Sequence, residues 1–235
     1  MDQILEFSYH TVVFVLSFIM ATLWGIIVIP LLRKLKFGQT VRDDGPATHL
    51  KKTGTPTIGG LIFYLPVLFF TILYGNRFPK IIGLALAFFG FGAIGLVDDL
   101  IKVLKKSKDG LSAFQKTILQ LLVATGFVIY CIMVMDLGTD MILPFTKMSR
   151  SVQIPGWIYY PFLILVLYFM TNSVNLTDGV DGLCSGVSLL VLLFFVLTAK
   201  NILGFEYSII FNAALSGGLI GFLVYNLHPA KVFMG

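Results

Sequence analysis

The 235-residue sequence predicts an all-α, polytopic transmembrane helix bundle, on three observations. Apolar residues come in blocks roughly 20 long, the length of helix that crosses roughly 30 Å of hydrocarbon. Only 12% of residues are charged, where a soluble domain carries about 25%. The charges that remain gather in the short connections between blocks. A net charge of +5 therefore points to orientation in a bilayer rather than to nucleic acid. The 57% hydrophobic content includes 22 Phe. Runs such as Phe194-Phe195 need no explanation beyond packing or lipid contact. Cys131 and Cys184 are too few and too far apart for a disulfide framework or a metal site, and read as packing residues.

The blocks run, in order, over roughly 9–32, 58–75, 79–97, 114–135, 155–174, 183–199 and 206–225. The first is preceded by Asp2 and Glu6, has an apolar run longer than a signal peptide's, and is followed by no small-residue cleavage site, so it reads as a span. The second opens on the turn Thr55-Pro56-Thr57-Ile58-Gly59-Gly60. The third ends at Asp98-Asp99, and Lys116 enters the fourth. The connection at 136–154 leads to Trp157, Tyr159 and Tyr160, an interfacial aromatic belt ahead of the fifth. The sixth follows a polar segment, and the seventh leads to Asn226 and the last residues. Without repeats or low-complexity tracts, 1–235 reads as a single integral membrane domain.

With the N-terminus outside, only Arg77, Lys80, Lys147, Arg150 and Lys200 of the 17 basic residues fall on the outer side. The excess on the other side marks it as cytoplasmic. Every motif-like segment falls on that side.

Taken singly, each segment has a bland alternative. Asp98-Asp99 can be a solvated helix end. Neighbouring helical residues point about 100° apart, so one carboxylate can serve a metal or substrate while the other holds Lys102, which is within helical reach of both. Asn172, Asn175, Asp178 and Asp181 recur every three residues, a spacing that on a helical turn aligns polar groups on one face. The alternative is a loop of turn-forming residues. An EF-hand is excluded, since its 12-residue loop and terminal Glu are missing. The Gly59-Gly60 turn can present N–H groups to an anion or simply begin a helix, and no Gly-Lys-Ser/Thr follows to make a P-loop. His49 alone is more often structural than catalytic. Together, the segments place carboxylates, amides and lysines on one membrane face. Oxygen donors suit Mg²⁺, which bridges phosphates, and lysines suit phosphate as point charges. The chemistry expected is that of an enzyme joining a water-soluble phosphate compound to a lipid.

The motifs HLKKTGTPTIGG, Asp98-Asp99 with Lys102, Gly110-Leu111 with Lys116, NSVNLTDGVDGL, and Asn226 with PAKVFMG resemble those of the polyprenyl-phosphate N-acetylhexosamine-1-phosphate transferase superfamily. The first resembles its phospho-N-acetylmuramoyl-pentapeptide transferase branch, where Met usually stands in place of Ile58. The resemblance runs from the first connection to the last residue. It implies attack of undecaprenyl phosphate on the β-phosphate of UDP-N-acetylmuramoyl-pentapeptide, giving lipid I and UMP in peptidoglycan biosynthesis. It implies Mg²⁺ as cofactor, a multi-pass location in a bacterial plasma membrane with the active site on the cytoplasmic face, and room for a homodimer. Residue by residue, it implies Asp98, Asp99, Asp178, Asp181 and Lys116 as catalytic. Lys52, Thr57, Asn172, Asn175, Asn226 and Phe233 would bind substrate, and Asp98 and Asn175 the metal.

One departure accompanies the resemblance. The family pattern has ten spans and continues past Phe-Met-Gly with a metal-binding Asp and a His-rich loop, whereas this sequence shows seven spans and ends at Gly235. The expectation is that the chain as given is inactive. The rivals are a related N-acetylglucosamine-1-phosphate transferase, an inactive remnant or assembly subunit, and a transporter. A transporter would carry its ionisable groups near the bilayer midplane rather than at span ends on one side.

Overall fold

A computed structural model describes residues 2–35, 37, 54–105, 107, 109–142 and 151–235. Among them are seven helices: α1 (Asp2–Lys34), α2 (Leu61–Gly75), α3 (Lys80–Lys105), α4 (Ala113–Val134), α5 (Gly156–Thr177), α6 (Leu183–Ala199) and α7 (Glu206–Asn226). Two three-residue strands, β1 (Asp140–Ile142) and β2 (Ser151–Gln153), pair antiparallel between α4 and α5. Five helices are long and apolar enough to cross a membrane, while α2 and α6 are shorter apolar helices. The all-α bundle expected from the sequence is the fold observed.

Helix α1 begins at Asp2, ahead of the block at 9, and three boundaries near the motifs also differ from the apolar blocks, each for a local reason. Helix α3 continues to Lys105, past the predicted end at 97. Lys102 pairs with Asp98 and Asp99 at i+4 and i+3 and sustains two polar turns beyond the apolar stretch. Helix α2 begins at Leu61 rather than 58, because Ile58 has φ +69° and Gly59 and Gly60 spend their N–H groups on Phe233 and Met234. Helix α5 runs to Thr177, so Asn172 and Asn175 are helical rather than part of a loop.

The core is built on α7, which packs against α1, α2, α3 and α6. Its approach to α1 is close. A side chain at Gly217 would strike the Phe14 carbonyl and Ser17, and one at Gly221 would strike Ala21 and the Phe18 carbonyl. This is small-xxx-small packing, which lets two helix backbones come together inside a bilayer. The Tyr225 hydroxyl donates to Thr22 O at 2.6 Å and ties the same pair together. Around this spine lie two apolar clusters, one with Val67, Phe70, Ile81 and Ile210, the other with Val28, Ile62, Leu219 and Phe222. Helices α3, α4 and α5 pack in succession to one side. No residue of α5 is buried, so its apolar surface faces outward, as a lipid-contacting helix would. Trp157 at its start is 78% exposed, in keeping with an interfacial belt.

Because successive helices alternate in direction, the C-terminal ends of α1, α3, α5 and α7 share one end of the bundle with the N-terminal ends of α2, α4 and α6. Hydrogen bonds across that end confirm it: Thr57 N to Phe37 O, Gly59 N to Phe233 O, and Gly182 N to Asn226 Oδ1.

Candidate active site

The site is built outward from the acidic pair of α3. Asp98 and Asp99 are 6% and 8% exposed, and each of their four oxygens has a partner. Asp98 Oδ1 accepts from Leu111 N at 2.8 Å. Asp98 Oδ2 faces Lys102 Nζ at 2.7 Å and Lys116 Nζ at 3.8 Å. Asp99 Oδ1 accepts from Lys102 Nζ at 3.1 Å, and Asp99 Oδ2 from Thr57 Oγ1 at 3.3 Å. A single ammonium thus spans both carboxylates despite their divergence around the helix.

The α3–α4 connection is shaped to permit this. Asp98 lies against Gly110, where any side chain would collide with the carboxylate. Ser112 then caps α4 through a capping box: its hydroxyl accepts from Gln115 N and its N–H donates to Gln115 Oε1. The box satisfies two otherwise unpaired donors and sets Lys116 on the first turn, facing Asp98.

The three-residue spacing of the second motif acts on one face only as far as the helix lasts. Asn175 Oδ1 accepts from Lys116 Nζ at 3.3 Å. One turn deeper, Asn172 Nδ2 donates to Gln120 Oε1 at 3.1 Å and to Tyr168 O at 2.8 Å. Past Thr177 the backbone turns, and Asp178 and Asp181 part company. Asp178 accepts from the Gly235 amide; burial and then the neighbouring Asp99 charge raise its pKa to about 6 against that bond. Asp181 is directed to the α7 exit, where its Oδ2 lies 3.0 Å from His228 Nδ1 and 3.3 Å from Ala230 N.

Residues 232–235 close the site. They run alongside the α2 approach, with Gly59 N donating to Phe233 O, Gly60 N to Met234 O, and Phe233 N to Pro56 O, at 2.8, 2.8 and 2.9 Å. Gly235 lies against Asp99 and Ile58. The left-handed φ of +69° at Ile58 is a strained conformation for a β-branched residue, held by the ladder on its C-terminal side and by Thr57 on the other. Asn226 anchors this segment: it is 3% exposed, accepts from Gly182 N at 3.0 Å, and donates to Val232 O at 2.9 Å.

Of the residues singled out in the sequence, Asp98, Lys116 and Asn175 form one set of direct polar contacts and Asp99 and Thr57 another, and Lys102 bridges the two. Asp178 joins them through Gly235 and the Asp99 charge. Asn172 sits one turn away, holding Gln120. Asp181, Asn226 and Phe233 occupy the adjoining turn and strap. Lys52 and His49 lie outside the described residues, as do Lys36, Arg42, Asp43, Asp44, Lys51, Lys106, Lys108, Lys147 and Arg150. Sequence reasoning placed Lys102 in reach of the pair but not in the site. It missed Gln120, and gave His228 and Gly235 no role beyond their place in the last segment. A Gln one helical turn inside an apolar span carries a readable signal, since polar groups at that depth seek partners. No such signal marks Gly235.

Among the described residues no group of three or more His, Cys, Asp or Glu gathers to hold a metal. The donor set, two carboxylates with an amide oxygen nearby, fits Mg²⁺ of the kind held by one or two carboxylates, water and substrate phosphates. It does not fit a cation caged by protein alone. Lys102 and Lys116 place positive charge beside these carboxylates.

Residues 81–235 match the model of glycosyl transferase family 4. The chain is 48% identical over 228 residues to a phospho-N-acetylmuramoyl-pentapeptide-transferase of Acetivibrio thermocellus, covering 97% of this chain and 68% of that protein. It is 48% identical over 221 residues to the protein of that name from Caldanaerobacter subterraneus, covering 94% and 68%. It is 45% identical over 222 residues to that from Clostridium perfringens, covering 94% and 68%.

Proposed function

Since the chain belongs to the phospho-N-acetylmuramoyl-pentapeptide-transferase family, within glycosyl transferase family 4, we propose that it transfers phospho-N-acetylmuramoyl-pentapeptide from its UDP donor to undecaprenyl phosphate, giving lipid I and UMP in peptidoglycan biosynthesis. The observation that carries the proposal is the meeting of Asp98, Asp99, Lys116 and Asn175, from three helices, at one end of an apolar bundle. Lipid-facing helices lead to that end, so a lipid phosphate and a soluble nucleotide can meet there. The protein is taken as a multi-pass component of a bacterial plasma membrane, N-terminus outside, with this end toward the cytoplasm, and a homodimer is compatible with it.

In the reaction a phosphate oxygen of the lipid forms a bond to the β-phosphorus, the bond from that phosphorus to the bridging oxygen breaks, and UMP leaves with the electron pair. A phosphomonoester has a second pKa near 6, so the nucleophile is largely a dianion at neutral pH and needs little base catalysis. The chain's own residues then act by position and charge. Lys116, held between Asp98 and Asn175, offsets repulsion between the two phosphates, and Lys52 is assigned the same task. Asp98 and Asn175 are the ligands assigned to Mg²⁺, which when bound neutralises charge on phosphate oxygens. Asp99 and Thr57 brace Asp98's neighbourhood, and Asn172 orients the last turn of α5. Asp178 and Asp181 line the turn facing the nucleotide. Phe233 offers a ring on which the uracil can stack, and Asn226 holds the segment that carries it.

The test is donor discrimination. Equilibrium binding of UDP-N-acetylmuramoyl-pentapeptide and of UDP-N-acetylglucosamine to the purified protein reads the preference, and UMP release in the presence of undecaprenyl phosphate and Mg²⁺ tests the expected inactivity of the chain as given. Tighter binding of the muramoyl donor, weakened in Lys116→Ala, supports the proposal. Preference for UDP-N-acetylglucosamine would move the chain to the related transferases.

A further inference from the structure

Two of the four oxygens of the acidic pair are pinned from outside α3, Asp98 Oδ1 by the Leu111 amide and Asp99 Oδ2 by the Thr57 hydroxyl. The other two, Asp98 Oδ2 and Asp99 Oδ1, converge on the ammonium of Lys102 at 2.7 and 3.1 Å. Those are the oxygens a metal ion shared by the pair would need. We propose that Lys102 is the resident cation of this pair, and that a divalent ion enters between Asp98 and Asp99 only by displacing it. The proposal rests on the assignment of Asp98 as a metal ligand made above, and adds Asp99 as a second carboxylate ligand.

The asymmetry of burial shows which partner moves. The carboxylate side chains are 9% and 11% exposed, while Lys102 is 36% exposed. The carboxylates are fixed at both ends, whereas Lys102 has a flexible four-carbon stem and open space beside it. Two buried carboxylates left without a cation would be strongly disfavoured, so the pair needs a stand-in whenever no metal is bound. Lys116 cannot fill that place, since it lies 3.8 Å from Asp98 Oδ2 and is engaged with Asn175.

A consequence follows for loading. Once displaced, the Lys102 ammonium is a mobile donor at the rim of a site that receives phosphates. An incoming phosphate that accepts it relieves the competition for the carboxylates. Metal and phosphate then tighten each other's binding, reciprocally, and Lys102 keeps the pair from loading metal in the absence of phosphate.

The experiment measures Mn²⁺ binding by electron paramagnetic resonance to the purified full chain in detergent, with and without UMP. Lys102→Gln and Lys102→Met are expected to bind Mn²⁺ roughly tenfold or more tightly than the unmutated chain without nucleotide, the effect of removing a unit charge beside the ion. Lys102→Arg, which keeps the charge, is expected to stay within about twofold of the unmutated chain. UMP should tighten Mn²⁺ binding in the unmutated chain and much less in Lys102→Gln. Equal or weaker binding in Lys102→Gln and Lys102→Met, alongside measurable binding to the unmutated chain, overturns the proposal and leaves the metal assignment standing. Binding to none of the forms overturns both. On the unmutated chain, the ¹⁵N resonance of the Lys102 ammonium, assigned with Lys102→Arg, must shift on adding Mg²⁺. An unmoved resonance at saturating Mg²⁺ also overturns the proposal.

Discussion

Replacing Asn226 by Ala separates two roles that its position allows, contact with the nucleotide and support of the segment beside it. The carboxamide is 3% exposed and spends its oxygen on Gly182 N and its nitrogen on Val232 O. Truncation strands one backbone donor and one backbone acceptor. Each such group costs about 1–3 kcal/mol when buried. Gly182 is only partly buried, so water recovers part of its share, whereas Val232 is fully buried. The sum is roughly 2–4 kcal/mol, read as a lowered midpoint of SDS- or heat-induced unfolding in detergent without any ligand. Asn226→Asp should lie between, since it keeps the acceptor for Gly182 N but sets a carboxylate oxygen against the Val232 carbonyl. UMP binding should fall with Asn226→Ala as Phe233 and Gly235 lose their anchor. The reasoning is refuted if Asn226→Ala unfolds within about 0.5 kcal/mol of the unmutated chain while UMP binding collapses. That result would place the amide on the nucleotide itself.

Three further outcomes are expected. For Asp178, a folded-state pKa of about 6 against an ordinary 3.8 means the folded protein holds that proton more tightly than the unfolded chain. Its contribution to stability is complete below 3.8 and is lost as pH rises through about 6. Asp178→Asn should flatten that part of the unfolding-midpoint profile, and parallel profiles for the two proteins would exclude the assignment. Gly59→Ala would drive a Cβ into the Phe233 carbonyl and the Val232 side chain, a backbone obstacle that cannot swing aside. A loss of about 1–3 kcal/mol and faster tryptic cleavage after the exposed Lys231 are expected, and unchanged cleavage would count against the ladder. Gln120→Leu removes the acceptor for Asn172 but leaves the bond to Tyr168 O. The loss should be about 0.5–1.5 kcal/mol, in the range of interhelical hydrogen bonds in membranes. A double-mutant cycle with Asn172→Leu should show coupling, and strict additivity would argue that the two amides do not interact.

Much of the site could be read from single segments because its chemistry is local. Asp98, Asp99 and Lys102 lie within two turns of one helix, and spacing alone places the lysine beside both acids. Lys116, a basic residue just inside a span on the motif-bearing side, likewise falls beside the pair, 3.8 Å from Asp98 Oδ2. The three-residue repeat of Asn172, Asn175, Asp178 and Asp181 was less transparent. Its regularity suggests one face, but α5 stops at Thr177. Beyond that residue the direction of a side chain is set by the turn, so Asp178 meets Gly235 and Asp181 meets His228. The Thr57–Gly60 turn suggested an anion-binding helix start. Gly59 and Gly60 instead give their N–H groups to the strap at 233–234, a partner more than 170 positions away that no local pattern announces.

What the sequence determined by itself is the medium and the arrangement within it. Blocks long enough to span a bilayer leave a helix as the only way for the backbone to satisfy its polar groups, and alternation of direction then puts every motif at the same end. What the tertiary structure alone decided is how those groups pair at that end. The register between helices comes from close contacts such as Gly217 and Gly221 against α1, and from amides such as Asn226 that bridge distant backbone. Those contacts depend on atoms brought together only by packing, and packing chose which oxygens of the acidic pair were pinned and which were left to Lys102.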